Sequence, residues 1–248
     1  MTLQQFFQNH PQIALAYSGG TDSAYLLYAA LQAGCDVHAY YINSAFQPDF
    51  ELQDAVKLAK ELNAPLSVIP LDILSDTKIC ENPGNRCYYC KRKIFDTLIR
   101  AAHLDGYEFI MDGTNASDLS SDRPGMQVLR ELHVLSPLQA CGITKQEVRR
   151  LSKEAGLFTW NKPAYACLAT RIATGEEISL EKLQTTEHCE NLLTSMGFSD
   201  FRIRLSHGTA KIQLRESQLE KLLSQRTEIL EKLKPFYASI TLDLEVRT

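Results

Sequence analysis

From residue 13 to about residue 157, short apolar runs alternate with longer stretches whose apolar positions recur every three or four residues. That rhythm is the pattern of a parallel sheet whose strands are joined by crossover helices. It predicts strands at 13–17, 37–42, 66–70, 109–111 and 133–135, and helices at 22–33, 49–62, 91–104 and 144–154. Thr144, with Glu147 three residues on, has the spacing of a capping box. Right-handed crossovers place a ligand crevice at the carboxyl ends of such strands. After Thr174 the rhythm changes to a helix over 179–196, strands over 201–205 and 210–214, a helix over 217–234 and an alternating run over 240–246. The expected fold is therefore α/β, a parallel sheet with flanking helices in domain 1–170, followed by a small α+β domain, 171–248. Residues 117–125, rich in Ser, Asp, Pro and Gly, read as a mobile connection that either closes over substrate or simply links two elements.

The junction between the first strand and the first helix of this pattern reads Tyr17-Ser18-Gly19-Gly20-Thr21-Asp22-Ser23. Paired glycines allow a tight turn with outward-pointing N–H groups, and Ser18 and Ser23 add hydroxyls at the positive end of a helix, which suits a phosphate. The lysine of a Walker loop is missing. A second polar cluster, Asp112-Gly113-Thr114-Asn115-Ala116-Ser117-Asp118, follows the fourth strand on the same crevice edge. Gly113 permits close backbone approach there, and Asp22 with Asp112 or Asp118 is a candidate magnesium-binding set.

Composition narrows the partners. Of 248 residues, 44% are hydrophobic and 23% charged, with a net charge of −4, which fits small acidic or nucleotide ligands better than a broad nucleic-acid surface. Residues 1–10 have neither a basic region nor a long apolar run, so a cytoplasmic protein without signal peptide or membrane anchor is expected. Seven cysteines, an odd number, point to reduced thiols and to metal or sulfur chemistry more than to a disulfide framework.

Cys87 and Cys90 form a C-x-x-C between Arg86 and Lys91-Arg92-Lys93. Basic neighbours and a helix start favour thiolate, which serves metal binding or sulfur nucleophilicity, while a structural zinc site, a redox pair and a chance pair stay open. Cys167, in Lys162-Pro163-Ala164-Tyr165-Ala166-Cys167-Leu168-Ala169-Thr170-Arg171, suits either a packed core or a thiolate assisted by Arg171. Arg202 and Arg204 alternate with apolar neighbours, so both lie on one strand face, either as an anion clamp or as a solvated surface.

Together these segments resemble the PP-loop superfamily and, within it, the LarE family of ATP-dependent sulfur transferases. The likeness is carried by Ala16-Tyr17-Ser18-Gly19-Gly20-Thr21-Asp22-Ser23, Asn82-Pro83-Gly84-Asn85-Arg86-Cys87-Tyr88-Tyr89-Cys90-Lys91, Asp112-Gly113-Thr114-Asn115, Ser136-Pro137-Leu138 with Gly142-Ile143-Thr144-Lys145, Ala166-Cys167-Leu168-Ala169-Thr170-Arg171 and Arg202-Ile203-Arg204. The resemblance implies that ATP adenylates a carboxylate of pyridinium-3,5-biscarboxylic acid mononucleotide, and that a sulfur nucleophile displaces AMP to leave a thiocarboxylate for a nickel-pincer cofactor. It implies an ATP site at Ala16, Tyr17, Ser18, Gly19, Gly20, Asp22, Ser23, Ile42, Gly113 and Thr114, with magnesium on Asp22 and catalysis by Asp22 and Cys167. Substrate contacts are implied for Arg171, Arg202, Arg204 and Glu190. Cys87, Cys90 and Cys167 match the branch that holds a 4Fe-4S cluster, supplied by a separate sulfide donor, in place of the branch that sacrifices its cysteine sulfur. Thr170 stands where the family often has Ser, and it keeps the hydroxyl. The first domain would adenylate, and the second would bind substrate and build a homo-oligomer. Rival readings are a PP-loop tRNA thiolase, an amidotransferase- or NAD-synthetase-like adenylating ligase, and a zinc-stabilised ATP-binding module.

Overall fold

Alternate residues of the first strand, Ile13 and Leu15 on one face and Ala14 on the other, are all fully buried, so this strand lies inside a sheet covered on both sides. In the computed structural model, which describes residues 1–118 and 124–245, the chain forms two compact units, 1–73 with 87–164, and 74–86 with 165–248. The sequence pattern suggested a single cut after residue 170; here 74–86 and 165–170 join the second unit.

The first unit carries strands β1 (Gln12–Ala16), β2 (Asp36–Asn43), β3 (Leu66–Pro70) and β4 (Ile110–Met111) in the order β3-β2-β1-β4, with every pairing parallel. Ile13, Leu15, Val37, Ala39 and Tyr41 pack with Leu26 and Leu27 of the helix Thr21–Gln32, whereas Ala14, Tyr40 and Ile42 pack with Leu98 and Ala102 of the helix Arg86–Leu104. Apolar burial on both faces drives this arrangement. The strand predicted at 133–135 shrinks to one bridge, Met111 to Leu135, because His133 takes a left-handed backbone (φ 53°) that an extended strand excludes. The helix predicted to begin at 91 begins at Arg86, which takes Cys87 and Cys90 into it. Thr144 caps the helix Lys145–Glu154 through the Glu147 N–H, but the Glu147 carboxylate bonds Arg150 and does not return to the cap. An unanticipated helix, Leu3–Asn9, has the capping box that Thr2 and Gln5 encode. The connection expected at 117–125 lies, over 119–123, outside the described residues; a helix follows at Pro124–Glu131.

The second unit has a three-stranded mixed sheet. β5 (Arg202–Ser206) and β6 (Thr209–Gln213) are antiparallel, and β7 (Ser239–Leu242) runs parallel to β6. His207 and Gly208, both at positive φ, make the two-residue turn that matches strand twist. The helix Leu180–Ser195 covers the sheet through Cys189 and Leu193. The helix predicted over 217–234 breaks into Leu219–Ser224 and Arg226–Leu233. Ser224 Oγ donates to the Lys221 carbonyl there, a local bond that competes with helix continuation. The end of the alternating run, residue 246, lies outside the described residues.

Candidate functional site

β1 and β4 are adjacent, so the segments leaving their carboxyl ends are neighbours. Gly19 sits at φ +70°, and a Cβ there would fall 2.9 Å from Ala55 Cβ and 3.2 Å from the Glu51 carbonyl; conformation and space both require glycine. The loop is closed by its own hydroxyls. Ser23 Oγ accepts from Ser18 N–H at 3.2 Å and lies 3.0 Å from Ser18 Oγ, and Gly20 N–H donates to Ser18 Oγ at 3.3 Å. Gly20 caps the twelve-residue helix Thr21–Gln32 without a side-chain acceptor, so the helix start offers backbone N–H donors to an anion. The Tyr17 hydroxyl donates to the Ala55 carbonyl at 3.4 Å, and burial pushes its pKa upward.

A Cβ on Gly113 would sit 2.9 Å from Ser23 N and 3.2 Å from Ser23 Cα, so only glycine lets the second cluster touch the first loop. Asp112 holds that cluster in shape, accepting from Thr114 N–H at 3.2 Å, Thr114 Oγ1 at 2.5 Å and Ser136 Oγ at 2.7 Å. Asp118 accepts from the Asn115 N–H at 3.0 Å. Asp22 joins the two segments: Asn115 Nδ2 donates to one carboxylate oxygen at 3.3 Å and Lys145 Nζ to the other at 2.5 Å. Asp22 and Lys145 are partly exposed, at 23% and 33% of their side chains. Ile42 ends the buried part of β2 on the opposite sheet face from Tyr41.

Lys145 and Asn115 belong to segments that carried the resemblance, yet neither was singled out as a site residue. The available signal was Thr144, whose capping places Lys145 at the first helical position. Lys91 was likewise missed. It is half-buried near Asp112, Asp118 and Cys87; partial desolvation pushes its pKa down, and those neighbours oppose the shift.

Cys87 and Cys90 are three residues apart on the helix Arg86–Leu104 and therefore share a face, Cys87 exposed and Cys90 half-buried. They belong to the first unit and Cys167 to the second. Cys167 precedes a short 3-10 turn, Leu168–Arg171, where its carbonyl accepts from Thr170 N–H at 3.0 Å and Thr170 Oγ1 at 2.8 Å. Cys35, Cys141 and Cys189 are free thiols, Cys35 and Cys189 buried. Among the described residues, no three His, Cys, Asp or Glu side chains are grouped to hold a metal ion, and no helix is long and apolar enough to cross a membrane.

In the second unit Arg171 is almost wholly buried against Glu190. Its Nε donates to Oε1 at 2.7 Å and its Nη2 to Oε2 at 3.2 Å, while Nη1 donates to the Ala166 carbonyl at 3.0 Å and to Thr170 Oγ1 at 2.9 Å. Glu190 also accepts from the Ile203 N–H at 3.0 Å and the Tyr165 hydroxyl at 2.7 Å. The Tyr165 ring carries two guanidinium groups, Arg171 at 4.5 Å and Arg202 at 4.9 Å from its centroid. Arg202 is buried, whereas Arg204 is exposed, donating to Gln213 Oε1 at 2.6 Å and the Thr170 carbonyl at 2.7 Å.

The family model described as thiamine biosynthesis protein (ThiI) matches residues 9–174. An uncharacterized protein of Synechocystis sp. is 35% identical over 98% of this chain and 92% of its own length. The pyridinium-3,5-bisthiocarboxylic acid mononucleotide synthase of Lactiplantibacillus plantarum is 32% identical over 98% of this chain and 89% of its own. A probable tRNA sulfurtransferase of Methanobrevibacter smithii is 24% identical over 61% of this chain and 42% of its own. With a phosphate loop built into a parallel sheet, and with likeness to the synthase running almost end to end, the chain belongs to the LarE family of PP-loop, ATP-dependent sulfurtransferases.

Proposed function

We propose that the protein activates a carboxylate of pyridinium-3,5-biscarboxylic acid mononucleotide with ATP and replaces one of its oxygens with sulfur, a step toward a nickel-pincer cofactor. The observation that carries this reading is the near full-length likeness to the Lactiplantibacillus plantarum synthase. It is supported by the convergence of two glycine-dependent loops on Asp22.

In this reading the carboxylate oxygen attacks the α-phosphorus of ATP, pyrophosphate leaves, and a sulfur nucleophile then expels AMP from the acyl centre. Ala16, Tyr17, Ser18, Gly19, Gly20, Ser23, Ile42, Gly113 and Thr114 form the nucleotide pocket. The loop N–H groups take up charge on the departing pyrophosphate, and Asp22 would be the residue to hold magnesium, which would supply further positive charge there. Arg202 and Arg204 bind the phosphate or carboxylates of the substrate, over a frame set by Arg171 and Glu190.

Cys87, Cys90 and Cys167 would supply the thiolates for a 4Fe-4S cluster. Two thiols one helical turn apart, followed by the half-buried Lys91, have the chemistry of such a donor set. Held by these three thiolates, such a cluster would supply a renewable source of sulfide from an external donor. The first domain is the adenylating part and the second the substrate-binding and oligomer-forming part of a cytoplasmic homo-oligomer.

The test is anaerobic iron and sulfide reconstitution of wild type and of Cys87→Ala, Cys90→Ala and Cys167→Ala, read by absorbance and electron paramagnetic resonance, with AMP formation assayed on the mononucleotide. A four-iron cluster that needs all three cysteines, with adenylation retained in Cys167→Ala, is the expected result. Stoichiometric zinc and no iron would reduce the protein to an adenylating enzyme with a structural metal site. The match to a tRNA sulfurtransferase favours one second reading, sulfur insertion into tRNA. Salt-sensitive tRNA binding, with no AMP formed on the mononucleotide, would select it.

A further inference from the structure

Lys162 stands five residues before Cys167 in the sequence, yet in the first unit it rests on the phosphate loop. Its side chain is only 12% exposed, and its ammonium lies 2.8 Å from Asp54 Oδ2 and 3.4 Å from the Gly19 carbonyl. The Phe50 ring, centroid 5.4 Å away, covers another side. The turn that carries it is fixed independently: Thr21 Oγ1 donates to the Thr159 carbonyl at 2.9 Å, and Arg149 Nη2 donates to the Lys162 carbonyl at 3.1 Å. The lysine is thus held at the loop by the backbone around it, and not by its ion pair alone.

Desolvating an ammonium for one carboxylate partner brings little net stability. The same ammonium next to a loop of backbone N–H donors gives a multiply charged anion a second, mobile source of positive charge. Asp54, at 33% side-chain exposure, can return to water when the lysine leaves it. We propose that Lys162 is a further ATP-binding residue, whose ammonium exchanges Asp54 for the polyphosphate of ATP. This rests on the reading of residues 18–23 as the phosphate loop.

The experiment is calorimetric titration of the full chain with ATP, pyrophosphate and AMP, for wild type, Lys162→Met, Lys162→Arg and Asp54→Asn. Loss of one charge-assisted contact in Lys162→Met is expected to weaken ATP and pyrophosphate about ten-fold and AMP by less than about two-fold. Lys162→Arg keeps the charge and should stay within about three-fold of wild type. Asp54→Asn releases the ammonium and should bind ATP as well as wild type or better. The inference is overturned if Lys162→Met binds ATP normally, if it weakens all three ligands equally, or if Asp54→Asn loses as much affinity as Lys162→Met, since each outcome describes a structural ion pair. A wild-type protein that binds neither ATP nor pyrophosphate would instead remove the phosphate-loop reading on which the inference stands.

Discussion

Two ion pairs divide the labour of this protein. Asp22 and Lys145 meet at the phosphate loop with about a quarter to a third of each side chain open to solvent, whereas Arg171 and Glu190 meet with 1% and 7% open. The first pair has few other ties: among the described residues Asp22 has one further donor, Asn115, and both partners keep surface open to solvent. The second is bonded on many sides, because Glu190 accepts from Arg171, Tyr165 and the Ile203 backbone, and Arg171 also donates to Ala166 and Thr170. An exposed pair is cheap to break and can change partners; a buried, many-bonded pair is costly to break and holds its surroundings in place. The two pairs should therefore fail in opposite ways.

The largest effect falls on the buried pair. Glu190→Ala leaves a buried guanidinium without its counter-charge and should cost about 3–5 kcal/mol of folding stability, read by chemical denaturation. Asp22→Ala should move the same measurement by less than about 1 kcal/mol. Equal losses in the two variants would erase the distinction. In activity the order reverses for Asp22→Ala: AMP formation should fall at least about 100-fold in a protein that remains folded, the scale of losing an electrostatic stabiliser of a reacting phosphate. Retained AMP formation would move the loop pair to the framework class.

Gly113→Ala sharpens the comparison at the loop itself. Its new methyl group would meet the Ser23 backbone at 2.9 Å, so the two segments must part. The expected cost is about 1–3 kcal/mol, divided between stability and ATP affinity. A variant that bound ATP normally would show that contact between the loops is not needed to hold nucleotide.

How much of this was legible in the sequence follows from the range of the interactions. Gly19, Ser18, Ser23 and the helix start behind them are local, and a turn that needs positive φ before an amphipathic stretch announces itself. The parallel sheet was equally legible, since strands buried on both faces read as short apolar runs. Lys145 reaches Asp22 across 123 residues and Asn115 reaches it across 93, so no periodicity encodes either contact. The strand at 133–135 and the long helix at 217–234 failed for local reasons that propensity does not carry, a left-handed His133 and a hydroxyl of Ser224 bonded back to Lys221. Arg171 and Glu190 could be singled out by type, but their mutual burial is a property of packing.

The smallest effect is the most discriminating, because Tyr165 touches the buried pair through its hydroxyl and both Arg171 and Arg202 through its ring. Tyr165→Phe removes one of the donors to Glu190 while keeping the ring beneath Arg171 and Arg202, and should cost about 1 kcal/mol of stability. Tyr165→Leu also removes the ring, and should add about 0.5–1 kcal/mol together with a rise in KM for the mononucleotide that the Phe variant does not show. The phenol adds a pH signature. Burial first, then the Glu190 charge, raises the Tyr165 pKa, so the folded protein keeps this proton where the unfolded chain loses it. The native state then binds more protons than the unfolded state, and stability falls as pH rises above the ordinary tyrosine value of about 10. Tyr165→Phe should flatten that alkaline decline. An unchanged slope would mean that other buried phenols, such as Tyr17, Tyr40, Tyr41 or Tyr237, set it, and that the Tyr165 hydroxyl is a hydrogen-bond donor whose titration the fold does not feel.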